Sequence, residues 1–386
     1  MDLEQALFWL GAVTVAFLAA VIAELVAGGR RLVRLEQVPP LADAEMPAVS
    51  IVVPARDEER NLETALRSVL AQRGPRIEVI AVDDRSTDRT GAILDRMAQE
   101  DPRLTVVHVA ELPPGWLGKN HALWVGAGRA RGELLLFTDA DVVMAPDTVH
   151  RAAGHLVRER LDHVTAGPRV EMPGRLLQAF GVVFGLFFAM FTRPWRVRDP
   201  RSRHHVGIGA FNLVRTQAYH AIGGHRAIAM RPDDDMKLGK LVKKHGLRQD
   251  LVIGTALISV EWYRTVGEAA RGLRKNGFAG LDYRLSVVVL ATVVHLLFFL
   301  WPFAAVLVVA APARWLYLAA VACILVLFAG AARDQRVPAW YGVFFPLASL
   351  LFVYVVWNAT LYALVHRGIE WRGTHYPLDQ LKANRV

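Results

Sequence analysis

Cysteine is almost absent: Cys323 is the only one in 386 residues, and it lies inside an apolar run. An intrachain disulfide is therefore excluded, and cysteine says nothing more about compartment. No internal repeat or low-complexity tract stands out, so a repeat architecture is not indicated. The first residues carry Asp2 and Glu4 where a secretory signal peptide carries Lys or Arg, and no small-residue cleavage site follows. The apolar stretch Ala6–Val26 is accordingly expected to be a retained anchor. Within the later apolar runs His295 is the only His, Lys, Arg, Asp or Glu, which is poor equipment for a proton or ion path. Basic residues are not grouped with stacking aromatics, so the net charge of +9 does not point to nucleic acid.

What is abundant is apolar sequence, 53% of the chain, and it is unevenly spread. Ala6–Val26, broken only by Glu24, is long enough to cross a bilayer. Arg30, Arg31 and Arg34 follow at once and place that end in the cytoplasm, where anionic lipid head groups attract basic residues. Three further spans are expected, Leu285–Ala310, Trp315–Ala331 and Tyr341–Val365, with Pro346 as a candidate kink in the last. Leu176–Phe191 is shorter and interrupted by Gln178; it suits a helix lying in the membrane interface, or a buried core helix, better than a span. Three crossings after a cytoplasmic middle would put the tail outside, yet Arg367, Arg372, Lys382 and Arg385 favour the inside. The side of the tail stays open at this level.

The middle of the chain alternates strand-like and helix-like segments. Val49–Val53, Ile77–Val82, Leu104–Val109 and Leu134–Phe137 are short apolar runs, and helical spacing at Leu62–Leu70 ends at Gly74-Pro75. The expected fold is α/β with a mostly parallel sheet under helical cover. Three of the strands release charged groups at their carboxyl ends, where such sheets bind ligands. These are Arg56-Asp57-Glu58-Glu59, Asp83-Asp84-Arg85-Ser86-Thr87-Asp88 and Asp139-Ala140-Asp141. The last pair, offset by two residues, can share a hard cation and its bound phosphates. Further on, Gly207–Leu213 is a small-residue segment, and Asp233-Asp234-Asp235 opens a helix whose dipole favours acids there. Adjacent His204 and His205 do not point the same way in regular structure and are not taken as a metal pair.

From Ser50 to Gly280 the chain resembles the family 2 glycosyltransferases, which use a nucleotide-diphosphate sugar on a GT-A fold. The elements occur in the family's order. Pro54-Ala55-Arg56-Asp57-Glu58 resembles the opening nucleotide loop, with Asp57 where Asn is more usual, and Asp83-Asp84-x-Ser86-x-Asp88-x-Thr90 resembles the second nucleotide element. Asp139-Ala140-Asp141 resembles the metal-binding Asp-x-Asp, and Asp234-Asp235-x-x-Leu238 stands where members carry Glu-Asp-x-x-Leu, whose second acid is the catalytic base. Leu112-Pro113-Pro114-Gly115-Trp116-x-Gly118-Lys119 and the tail Trp371-Arg372-Gly373-Thr374-x-Tyr376 are similar to the membrane branch of hopanoid-associated and carotenoid glycosyltransferases, with ceramide glucosyltransferases more distant. Processive polysaccharide synthases carry Gln-x-x-Arg-Trp after the base; here the comparable place reads Arg271-Gly272-Leu273-Arg274-Lys275-Asn276.

The resemblance implies an inverting, metal-dependent enzyme that transfers a single sugar, UDP-linked in most of the family, to a lipid or polyisoprenoid-like acceptor at the cytoplasmic face of the cell membrane. A polysaccharide synthase, or a non-catalytic transporter or lipid-binding membrane protein, is the alternative. In this expectation Asp235, or Asp234 if the register is off by one, is the base, and Asp233 and Asp234 raise its pKa. Asp141, with Asp139 directly or through water, holds Mg²⁺ or Mn²⁺. Pro54, Arg56, Asp57, Glu58, Asp83, Asp84, Lys119 and Asp139 line the donor, and Trp116, Arg274 and Lys275 are candidate acceptor or phosphate contacts. The expected domains are an anchor at 1–29, a linker at 30–47, the GT-A domain at 48–280, a membrane region at 285–366 and a basic tail at 367–386.

Overall fold

A computed structural model of the chain describes residues 2–74 and 76–386; Met1, and Pro75 of the expected helix stop, lie outside the described residues. By internal contacts the chain divides into an α/β unit (Leu32–Val170, Pro194–Glu261 and Glu370–Val386) and a helical unit (Met1–Arg31, Glu171–Arg193 and Trp262–Ile369). The division differs from the expected bounds in four places, the first being that the α/β unit begins at Leu32, within the expected linker. Glu171–Arg193 and everything from Trp262 group with the apolar helices, and the tail from Glu370 packs with the α/β unit. The reason is composition: apolar helices bury their side chains against one another, while the tail offers polar groups to loops.

The strands, in chain order, are β1 Val33–Arg34, β2 Val49–Ala55, β3 Ile77–Asp84, β4 Leu104–Val109, β5 Leu134–Phe137, β6 Val142–Met144, β7 His163–Gly167, β8 Arg169–Glu171, β9 Asn212–Arg215, β10 Gln249–Ile253, β11 Ile258–Glu261, β12 Gly368–Trp371 and β13 Thr374–Pro377. Eight of them form one sheet in the order β1-β10-β7-β9-β5-β2-β3-β4; β6, β11 and β8 form a second, and β12 pairs with β13. The pairs β2–β3, β2–β5, β3–β4, β10–β7 and β1–β10 are parallel, and β9 alone runs antiparallel to its neighbours β5 and β7. Every residue of β5 is buried, because helices cover both faces of a doubly wound sheet. Val52, Ile80, Val82, Leu135, Phe137 and Leu238 share one core, which fixes the strand ends that carry the acids.

In the helical unit, Leu3–Gly29 starts with Asp2 accepting the Gln5 N–H at 2.7 Å. The Leu7 carbonyl accepts the Tyr317 hydroxyl at 2.8 Å, and Glu24 near the helix end meets Arg193 at 3.3 Å. His295 bonds Ser349 Oγ at 3.0 Å and packs among Phe187, Phe299 and Phe352, so it is a satisfied core residue. Pro346 does not kink its helix. It occupies the first turn of Phe345–Val365, where a missing N–H costs nothing. The irregularity falls at Leu296–Leu300 instead, a π-type turn just ahead of Pro302.

Among the described residues five helices are long and apolar enough to cross a membrane: Leu3–Gly29, Arg175–Arg196, Leu285–Val308, Ala313–Asp334 and Ala339–Val365. Chain connectivity restricts how they can do so. β7 and β9 hydrogen-bond to each other, so the segment joining them, which contains Arg175–Arg196, must return to the side it left. Likewise β11 and the tail belong to one unit, so any membrane crossing between Glu261 and Glu370 has to be matched by a return. A tail that packs with the sheet's unit lies on the sheet's side, in agreement with its positive charge. In a Cys323→Ser background, single cysteines at exposed Arg60 and Lys382 should react together with a membrane-impermeant maleimide, in one vesicle orientation only. Labelling of the two from opposite orientations would contradict this topology.

Candidate active site

β5 ends at Phe137, and the Thr138 hydroxyl donates to the Ala210 carbonyl at 2.8 Å, locking the turn that presents Asp139 and Asp141. The helix Gly118–Ala127 delivers Lys119, whose Nζ lies 2.7 Å from Asp139 Oδ1 and 3.6 Å from Asp234 Oδ1. Asn120 aligns that helix with the segment leading to Asp233: its amide donates to the carbonyls of Ile228 at 2.7 Å, Ala229 at 3.2 Å and Arg231 at 2.9 Å. Asp234 and Asp235 open the helix Asp234–Lys244. Asp234 is buried towards Lys119, while Asp235 is half-buried, its Oδ2 accepting the Gly209 N–H at 2.8 Å and its Oδ1 the Met236 N–H at 2.7 Å. The Gly207–Leu213 segment must be small here. A Cβ on Gly207 would collide with the Asp235 carbonyl, and one on Gly209 would come within 2.7 Å of Asp139 Oδ2.

The electrostatics follow from this crowding. Burial alone would lower the Lys119 ammonium, but Asp139, Asp234 and Asp235 outweigh it and hold it above the ordinary lysine range. Burial, then the charges of Asp139 and Glu58, push the Asp141 carboxyl up to about 7. Asp235 is also raised, mainly by burial and further by Asp139, against the opposing pull of Lys119 and the two backbone N–H groups. The like charge that raises Asp235 is Asp139, where Asp233 and Asp234 were expected, and Asp233 faces cations of its own. Its carboxylate is held by Arg231 at 2.8 Å and 3.0 Å and by Lys237 at 3.4 Å, and its charge is compensated there.

The acids after β2 and β3 are gathered along the same sheet edge, and each has protein partners. Asp57, at a left-handed φ of 53°, accepts the Thr87 N–H at 2.8 Å through Oδ1. Asp83 accepts the Ser86 N–H at 3.1 Å and lies 3.0 Å from His108 Nδ1. Asp84 takes the Arg85 guanidinium at 2.8 Å and 3.2 Å, with Arg56 3.8 Å away. Asp57 and Asp83 therefore staple the loops after β2 and β3 to their surroundings, a role not foreseen from their spacing. Pro54 lies within β2, in register with Val82 of β3. Trp116 is half-buried beside His121 and Trp124, at ring separations of 5.5 Å and 5.4 Å. Arg274 belongs to the helical unit, where it donates to Asn358 at 2.7 Å and lies over Tyr362; Lys275 is in the same short helix. A larger cavity of about 480 Å³, lined by Trp124, Arg129, Tyr219 and His220 among others, holds none of these acids.

Among the described residues no group of three or more His, Cys, Asp or Glu could hold a metal by itself. The donor set nonetheless fits a divalent ion of the kind held by one or two carboxylates plus substrate phosphates. Asp139 and Asp141 carry the oxygens that would hold it, and the raised proton affinity of Asp141 comes from burial and then from the like charges that a cation would relieve.

A parallel sheet with acids at its carboxyl edge and one reversed strand beside the central one is a GT-A fold. The architecture is shared with the mannosyltransferase PcManGT of Pyrobaculum calidifontis, solved in complex with GDP-Man and Mn²⁺, which aligns over 93% of this chain and 99% of its own at 20% identity and a TM-score of 0.55. Residues 50–223 match the family described as Glycosyl transferase family 2, and this segment is a family 2 glycosyltransferase domain. Curated relatives include the 4,4'-diaponeurosporenoate glycosyltransferases of Staphylococcus aureus strains Newman and COL, each 25% identical over 219 residues. That alignment spans 56% of this chain and 57% of each relative. The family match ends before Asp234 and Asp235, which are tied to the site by geometry alone.

Sequence reasoning missed Asn120, which no motif marked. It also left Gly209 without a role, although glycines alternating in Gly207-Ile208-Gly209 are the signal of a close backbone approach. Removing the cation at the centre should be costly. Lys119→Met leaves buried carboxylates uncompensated and should destabilise the protein by about 3 kcal/mol near pH 8. The loss should shrink near pH 5, because protonating the carboxyls relieves their repulsion. Thermal unfolding at the two pH values checks the sign, and an equal loss at both contradicts it.

Proposed function

We propose that the chain is an inverting, metal-dependent glycosyltransferase that moves one sugar from a nucleotide-diphosphate sugar to a lipid or polyisoprenoid-like acceptor at the cytoplasmic face of the cell membrane. The observation that carries the proposal is the cluster in which Lys119 bridges Asp139 and Asp234 while Asp235 is aimed by the Gly209 N–H. The family 2 domain supports donor chemistry of this class, with a uridine nucleotide as the expected carrier. The apolar helices, and relatives named for glycosylating diaponeurosporenoate, a carotenoid, support a hydrophobic acceptor.

In this reading Asp235 takes the proton from the attacking acceptor hydroxyl. Burial makes it a stronger base than an exposed carboxylate, and two backbone N–H groups fix its orientation. Asp234 is turned towards Lys119 and acts in holding that ammonium rather than in proton transfer. No second carboxylate is assigned as nucleophile, so attack on the sugar carbon is direct and inverts its configuration. Asp141 and Asp139 would hold the Mg²⁺ or Mn²⁺, which when bound offsets the negative charge of the diphosphate leaving group. Lys119 adds a fixed positive charge on the same side, and the loops stapled by Asp57 and Asp83 frame the nucleoside.

Asp235→Asn should lose about 10²–10⁴-fold in transfer rate, the usual worth of a general base, while keeping nucleotide-sugar affinity. Asp234→Asn should retain more activity. A dead Asp234→Asn beside a normal Asp235→Asn reverses the assignment, and two normal variants sink the mechanism. Removal of divalent ions by EDTA should stop turnover of the unaltered protein. Because the proton on Asp141 competes with the cation, Mn²⁺ affinity should rise as pH climbs through about 7 and level off above it. An affinity independent of pH between 6 and 8 would remove Asp141 from the metal site.

A further inference from the structure

The hairpin formed by β12 and β13 makes contacts that the proposed chemistry leaves unused. Its two-residue tip is Arg372-Gly373, with φ of 50° and 73°, the left-handed pair that a tight hairpin turn requires. From the tip, the Arg372 guanidinium pairs with the Glu58 carboxylate and donates to the Asp57 carbonyl at 3.3 Å. Four residues on, the Tyr376 hydroxyl accepts the Gly118 N–H at 3.3 Å and interacts with the Arg85 guanidinium. Tyr376 is buried, and Gly118 has no room for a side chain, since a Cβ there would collide with Asp84 Oδ2. One hairpin thus reaches three separate elements: the opening nucleotide loop at Asp57-Glu58, the second loop at Asp84-Arg85, and the start of the helix that carries Lys119. These elements are more than 250 residues away in sequence, as the separation of 258 between Gly118 and Tyr376 shows.

We infer that Glu370–Pro377 is a wall of the donor pocket, with Arg372 and Tyr376 as positioning residues that set the affinity for a nucleoside diphosphate. The inference rests on the nucleotide-sugar reading proposed above. Arg372 holds the Glu58 loop at the pocket's edge, and Tyr376 fixes the Gly118 backbone and so the place where Lys119 leaves its helix. A loop held by one exposed ion pair gains little stability from it, so the effect belongs to ligand binding rather than to folding.

The test uses the full chain in lipid nanodiscs, with Mn²⁺ and either UDP or GDP as probe. Arg372→Ala and Tyr376→Phe should each raise the nucleotide Kd and the donor KM about fivefold, the worth of one lost hydrogen bond. Acceptor KM and kcat should stay within about twofold, the thermal midpoint should hold, and Arg372→Lys should recover most of the loss by restoring the charge. Variants that bind as tightly as the unaltered chain overturn the inference and leave the glycosyltransferase reading intact. Tighter binding by the variants also overturns it, and would make the hairpin a plug. An unaltered chain that binds neither nucleotide overturns both.

Discussion

One ammonium holds this site together. Lys119 is pressed against Asp139 and faces Asp234, and where these helices and strand end converge that charge offsets the repulsion between their acids. The neighbouring parts are built around it. Asn120, the next residue, ties the Lys119 helix to the segment before Asp233, and Arg231 and Lys237 neutralise Asp233 so that it does not add to the crowding. Asp141, buried and near Asp139 and Glu58, is the acid whose proton affinity rises to about 7. The site therefore presents one compensated group of acids and one uncompensated one, side by side. That is an arrangement suited to receiving a cation with its phosphates on one side and a hydroxyl proton on the other.

The glycine-bearing segment ahead of β9 makes the arrangement possible. β9 is the reversed strand of the sheet, and its approach brings Gly207-Ile208-Gly209 across the start of the Asp234 helix. Side chains there would push Asp235 and Asp139 apart. The antiparallel strand is thus not an irregularity in a parallel sheet but the means of bringing a backbone N–H to Asp235.

Much of this was legible in the sequence, because strand-end acids in α/β proteins lie next to the apolar runs that mark the strands. The four acidic motifs were found in order, and Asp139, Asp141, Asp234 and Asp235 do converge. What was not legible depends on contacts between distant segments. Asn120 has no local signature, and the ties from Arg372 and Tyr376 span most of the chain. The loop acids Asp57 and Asp83 have the residue types of ligand contacts, and the bonds they make to Thr87, Ser86 and His108 had no signature in their spacing. Hydropathy likewise ranks each apolar run separately, while the pairing of β7 with β9 and the return of the tail constrain the runs together.

The central claim is the transfer of a single sugar to a lipid. Its most direct measurement is mass spectrometry of membrane lipids from cells expressing the unaltered chain, set against cells lacking it. The account predicts a lipid species heavier by one sugar-sized increment that appears only with the chain. A ladder of increments would identify a polymerising enzyme, and the absence of any increment would contradict the account.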